Sequence, residues 1–129
     1  KVPELRLMID HLPGMQEPPN PAVLKELAKR NVYIKGSVIA RRVNKVVQME
    51  AALYKPTLDL IWDTFGEDRV VYGSDWPNST GNWVTYEQTL TIARQYLANK
   101  PRQVAEKYFW RNSIAAYKWK KRDPKQPSI

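Results

Sequence analysis

The stretch "FGEDRVVYGSDWP", residues 65–77, decides how the chain is read. Gly66, Glu67 and Asp68 are turn formers, and the β-formers at 69–72 follow them, so a short strand over residues 69–73 is expected. Gly73 and Ser74 allow a tight exit, and Pro77, which has no amide hydrogen, stops any ladder. Asp75 disfavours strands, yet it stands where this one finishes. A carboxylate there is either held on a rigid strand end for chemistry, or caps the turn through its own oxygens. On this stretch alone both readings stand.

Two further strands lie upstream. "LRLMID", residues 5–10, is apolar almost throughout and is expected to be buried on both faces. After the loop "HLPGMQEPP", Asn20 caps a helix with Pro21 in its first position and Leu24, Leu27 and Ala28 as its inner stripe. "NVYIKGS", residues 31–37, is the second strand. It leads through a long loop to a helix with Leu58, Ile61, Trp62 and Phe65 at the spacing of a buried face and Pro56 near its start. After the third strand and a Trp-rich loop, Thr85 and Gln88 form a capping box for a helix bearing Tyr86, Leu90, Ala93 and Leu97. Pro101 opens a short helix through Phe109, Asn112 caps a last one through Tyr117, and the tail "DPKQPSI" is expected to be disordered.

Strand and helix thus alternate three times, which implies an α/β fold with parallel strands and right-handed crossovers. Three units cannot close an eight-stranded barrel, which takes about 250 residues, and an open three-stranded sheet leaves two bare edges. The 129 residues have room for one domain, 43% apolar and 26% charged, with no break in composition. Without cysteine, disulfides and thiolate metal sites are excluded. No apolar run reaches membrane-spanning length. The start "KVPELRLMID" enters a strand within a few residues and reads as the middle of a longer protein, so a targeting segment could lie upstream. The net charge is +8, and "KWKKRDPK", residues 118–125, holds five basic residues and one acidic. A solvated helix end explains that cluster better than nucleic-acid binding, because no recognition helix, stacking strand or zinc-finger spacing accompanies it.

In parallel α/β folds, chemistry gathers at the carboxyl ends of strands. Those ends here are Asp10-His11, Lys35-Gly36-Ser37 and Ser74-Asp75, and His11 is the single histidine. An imidazole and a carboxylate on neighbouring strand ends suit a hydrolytic metal site or a general acid/base pair; otherwise both merely satisfy loop amides.

"MIDHLPG", "NVYIKGS", "FGEDRVVYGSDWP" and "YFWRNS", in this order and spacing, resemble the C-terminal half of the amidohydrolase-related (amidohydrolase 2) family, in its fuconolactonase-like and pyrone-dicarboxylate-hydrolase-like branch. The resemblance spans residues 5–117. It implies about three βα units, the sixth to eighth, of a distorted (β/α)8 barrel over residues 1–117, with a basic tail over 118–129. Asp75 matches the acid after the last strand, which binds metal or acts as general base on the attacking water. His11 matches a histidine that contacts metal or polarises the substrate. Lys35 and Ser37 match a strand-seven substrate site, where "KGS" departs from the commoner K-x-S-G, and Asn112 matches a structural cap. The family's His-x-His and metal-bridging residue have no counterpart here.

The resemblance further implies a lactone or other small carbonyl substrate, with decarboxylation as an option, and a divalent metal, zinc first, bound through Asp75 and His11, although some relatives work without one. Arg41 and Arg42, on the loop after the second strand, are candidates for a substrate carboxylate, and Trp76 and Trp83 for an apolar wall. The expected partners are a small-molecule substrate and the missing N-terminal half, with no specific nucleic acid and no membrane; the expected location is cytoplasmic. The isolated chain is expected to be inactive. The rival readings are a catalytically silent truncation and a small basic binding module.

Overall fold

The computed structural model describes residues 4–11, 19–37, 39–78 and 84–126. Most of the "HLPGMQEPP" loop, Trp83 and the last three residues of the tail lie outside these. Three strands, β1 (Leu7–Ile9), β2 (Val32–Gly36) and β5 (Val70–Tyr72), form a sheet of order β1-β2-β5, parallel throughout. Each is shorter than the sequence suggested.

Helix α1 (Pro21–Ala28) begins as expected: Asn20 Oδ1 accepts from Ala22 N–H, and Pro21 opens the first turn. Helix α2 (Lys55–Phe65) buries Leu58, Ile61, Trp62 and Phe65. Helix α3 (Tyr86–Leu97) starts with the complete Thr85–Gln88 capping box. Its buried face is Thr89, Ile92, Ala93 and Leu97, whereas Tyr86 is exposed and Leu90 half-buried. The expected stripe was therefore rotated: hydrophobicity alone favoured Leu90 over Thr89, but the Thr89 hydroxyl donates to Tyr86 O and can be buried.

Because side chains alternate along a strand, the sheet has two unlike faces. Val32, Ile34 and Val70, with Ile9 and Tyr72, turn towards the helices and form the core with α2, α3 and Leu24. Tyr33, Lys35 and Val71 point the other way. β1 departs from expectation most. Leu7 is 45% exposed, and Met8 and Ile9 are only half-buried. Among the described residues β1 is an edge strand that pairs with β2 alone, so its apolar residues lack the cover their composition anticipates.

The long loop after β2 contains structure that the sequence reading left out. β3 (Arg42–Val43) and β4 (Val46–Val47) form an antiparallel hairpin whose two turn residues, Asn44 and Lys45, both have left-handed φ, 49° and 65°. That is the I′ geometry that suits strand twist. A 3₁₀ turn at Ala51–Leu53 then leads into α2.

The C-terminal segment is one continuous helical run, α4 (Arg102–Glu106), a π-helical stretch (Lys107–Arg111) and α5 (Asn112–Tyr117). Asn112 therefore does not cap a separate helix: it sits inside the run with αR dihedrals. Its buried Nδ2 donates instead to Glu67 O and Val70 O, both at 2.8 Å, clamping the run to the start of β5. At the other end Arg6 donates to the carbonyls of Ala115 and Ala116. Among the described residues no helix is long and apolar enough to cross a membrane.

Candidate active site at the strand ends

The carboxyl ends of all three strands open into one cavity of about 520 Å³. Its lining includes Asp10, His11, Lys35, Ser37, Asp75 and Trp76. β1 and β5 pair with opposite edges of β2, so the end of β2 stands in the interval between the segments that carry His11 and Asp75. Ser37 fills that interval. Its hydroxyl donates to Asp10 O at 2.6 Å and lies 3.0 Å from His11 Nδ1, and the residue is 1% exposed.

Lys35 Nζ pairs with the Asp10 carboxylate. The hydrogen bond from Lys35, and then its charge, hold the Asp10 carboxyl below the usual carboxylate value. Partial burial pulls Lys35 down, but the Asp10 hydrogen bond and the nearby Tyr117 phenol outweigh it and raise the ammonium. Lys35 and Ser37 are two residues apart on one face of β2, so both grip Asp10, one by its side chain and one by its backbone. Gly36 between them faces the helices, where Tyr108 packs so closely that a Cβ at 36 would meet its hydroxyl at 2.6 Å.

Asp75 adopts a left-handed φ of 56°, a conformation that Asp tolerates better than most residues. The side chain that closes the turn is Ser74, whose Oγ accepts from Trp76 N–H at 3.2 Å. The Trp76–Pro77 peptide is cis, and Trp76 is 61% exposed at the cavity rim.

The structure does not bring Arg41 and Arg42 to this cavity. Arg42 forms part of the β3–β4 hairpin, with its Nε donating to Lys45 O, while the Arg41 backbone is bonded to the Tyr54 hydroxyl. The hairpin directs these residues to the exposed surface. Conversely, the sequence reading missed Tyr72, Tyr86, Ser113 and Tyr117 in the lining. Ser113 and Tyr117 arrive on the returning C-terminal run, for which local sequence carries no signal.

Among the described residues no group of three or more His, Asp or Glu side chains gathers. A catalytic zinc takes three protein ligands, and His11 and Asp75 supply two at most. By themselves these residues do not make a metal site.

A parallel sheet backed by helices, with an imidazole and a carboxylate at its carboxyl ends, places the chain among α/β proteins whose sites lie at strand ends. The family model described as Amidohydrolase matches residues 1–119, and the chain belongs to that family. An amidohydrolase from Burkholderia multivorans with bound zinc superposes with a TM-score of 0.72 at 18% identity, over 89% of this chain and 44% of that one. Amidohydrolase 2 from Bifidobacterium longum subsp. infantis gives 0.69 at 25% identity, over 92% and 42%. A Pseudomonas putida protein assigned as a 2-pyrone-4,6-dicarboxylic acid hydrolase gives 0.64 at 19%, over 89% and 44%. The chain thus spans less than half the length of these solved structures. No curated protein matches.

Proposed function

We propose that the chain is the C-terminal part, about three βα units, of a (β/α)8-barrel hydrolase that opens a lactone or another small carbonyl substrate with an activated water. The observation that carries this reading is the convergence of His11 and Asp75 on one cavity at the carboxyl ends of parallel strands. The exposed apolar β1, at a bare sheet edge, supports the barrel assignment, since a further parallel strand would cover it. So does the share of the neighbours' length that the chain covers.

In this mechanism the Asp75 carboxylate takes a proton from water as the oxygen attacks the carbonyl carbon. His11, when its ring carries both protons, donates from Nε2–H to the carbonyl oxygen and stabilises the negative charge that develops there. Lys35 holds Asp10 in place, and Trp76 contributes an apolar wall at the rim. A divalent ion, if bound, would supply Lewis acidity; His11 and Asp75 would be this chain's donors for it, and the other ligands would come from the N-terminal half. The lactone class follows the pyrone hydrolase named among the neighbours.

The test is to assay lactone hydrolysis by the chain alone and co-expressed with an N-terminal half from the family. The expected result is turnover only in the combined protein, abolished by Asp75→Asn. Full activity of the Asp75→Asn protein would overturn the assignment of the base. Enzyme-like turnover by the 129-residue chain alone would overturn the half-barrel.

A further inference from the structure

We propose that Ser37 is a positioning residue that fixes His11 as its Nδ1–H tautomer, leaving Nε2 as the basic nitrogen at the strand ends. This rests on reading His11 as part of the site. The geometry leaves one arrangement of hydrogens. A serine hydroxyl carries a single proton and a carbonyl oxygen can only accept. With 2.6 Å between Ser37 Oγ and Asp10 O, that proton lies between them. Towards His11 Nδ1, 3.0 Å away, Ser37 then presents only lone pairs, so the ring nitrogen must donate. Ser37 is 1% exposed, which denies its hydroxyl a competing bulk-water partner.

The neutral ring therefore has its lone pair on Nε2. That nitrogen can take a proton or ligate a divalent ion, and Nδ1 can do neither. The imidazolium form is equally compatible, since it too donates from Nδ1. Only the Nε2–H tautomer, which a free imidazole side chain prefers, is excluded. Metal-binding and general-base histidines are oriented by the same device, a bond from the other ring nitrogen. The K-x-S spacing gains a reason: Lys35 and Ser37, on one face of β2, lock the carboxylate and carbonyl of Asp10, and Ser37 passes that constraint to the ring.

Because the chain has one histidine, ¹⁵N labelling of the imidazole gives an unambiguous pair of nitrogen signals. The measurement is made on the 129-residue chain at about pH 8.5, two units above the ordinary histidine value. The expected spectrum shows a proton-bearing Nδ1 and a pyridine-type Nε2. Ser37→Ala should move the proton to Nε2, and Ser37→Thr, which keeps the hydroxyl, should retain the wild-type pattern. A wild-type spectrum with the proton on Nε2 overturns the proposal without any variant, which covers the case of a Ser37→Ala protein that does not fold. An unchanged tautomer in folded Ser37→Ala overturns it as well. The readout needs no turnover: a retained tautomer with no hydrolysis in the completed protein would sink the hydrolase reading and leave this one standing.

Discussion

Gly73→Ala probes how tightly the strand ends are packed. A Cβ at position 73 would lie 2.5 Å and 2.6 Å from Cδ and Cγ of Lys35, and 2.9 Å from Cβ of Ser37. Carbon atoms rest about 3.5–4.0 Å apart, so the Lys35 stem must retreat by about 1 Å. That stem is flexible, but Ser37 Cβ is fixed to the backbone of β2 and moves only with it. Overpacking of this kind costs about 1–3 kcal/mol, and about 2 is expected here. With a urea slope of about 2 kcal/mol per molar, the unfolding midpoint should fall by about 1 M. A double-mutant cycle with Lys35→Ala separates the two contacts: removing the stem should recover about half the loss and leave the Ser37 part. Gly66 is the control. With φ of 73° and nothing within 4 Å of its missing Cβ, Ala there should cost about 1–2 kcal/mol from the backbone alone, with no dependence on Lys35. A neutral Gly73→Ala, or a loss untouched by Lys35→Ala, would refute the packing reasoning.

Asn112→Ala should destabilise by about 2–4 kcal/mol, since two carbonyls, at Glu67 and Val70, lose their shared donor; a shift under about 0.5 kcal/mol in urea denaturation would show that the clamp is dispensable. At Asp75 the left-handed φ of 56° predicts that Asp75→Gly is more stable than Asp75→Ala by about 1 kcal/mol, with Asp75→Asn close to wild type. Equal melting of the Gly and Ala variants would refute the strain. Burial raises the Tyr72, Tyr96 and Tyr108 phenols above their ordinary value of 10.0. Above that pH the unfolded chain loses these protons while the folded one keeps them, so stability must fall as pH rises, by up to about 1.4 kcal/mol per pH unit for Tyr108. Denaturation at about pH 9 to 11 reads this slope, and Tyr108→Phe should flatten it; an identical slope in that variant would remove Tyr108 from the account.

Local sequence sufficed for the elements with local causes. The Asn20-Pro21 helix start, the Thr85–Gln88 capping box and the α2 face from Leu58 to Phe65 form as read, because capping and helical periodicity act within a few residues. The parallel sheet followed from alternation of strands and helices, and the strand-end rule located Asp10-His11, Lys35-x-Ser37 and Ser74-Asp75. The "VNKV" hairpin escaped because its turn lacks the glycine that usually marks left-handed residues. Tertiary structure alone decided the rest. The Arg41–Arg42 segment turned away from the cavity, while Ser113 and Tyr117 came to it on a helical run folded back from the far end of the chain. Asn112 became a clamp rather than a cap, because the carbonyls it serves are about forty residues away. The hydrogen bonds between Asp10, Ser37 and His11 join strands whose ends lie more than two dozen residues apart, and such contacts leave no trace in local pattern. Propensity and periodicity determined which segments stand side by side; the direction in which each polar group points was set only once neighbouring strands had paired.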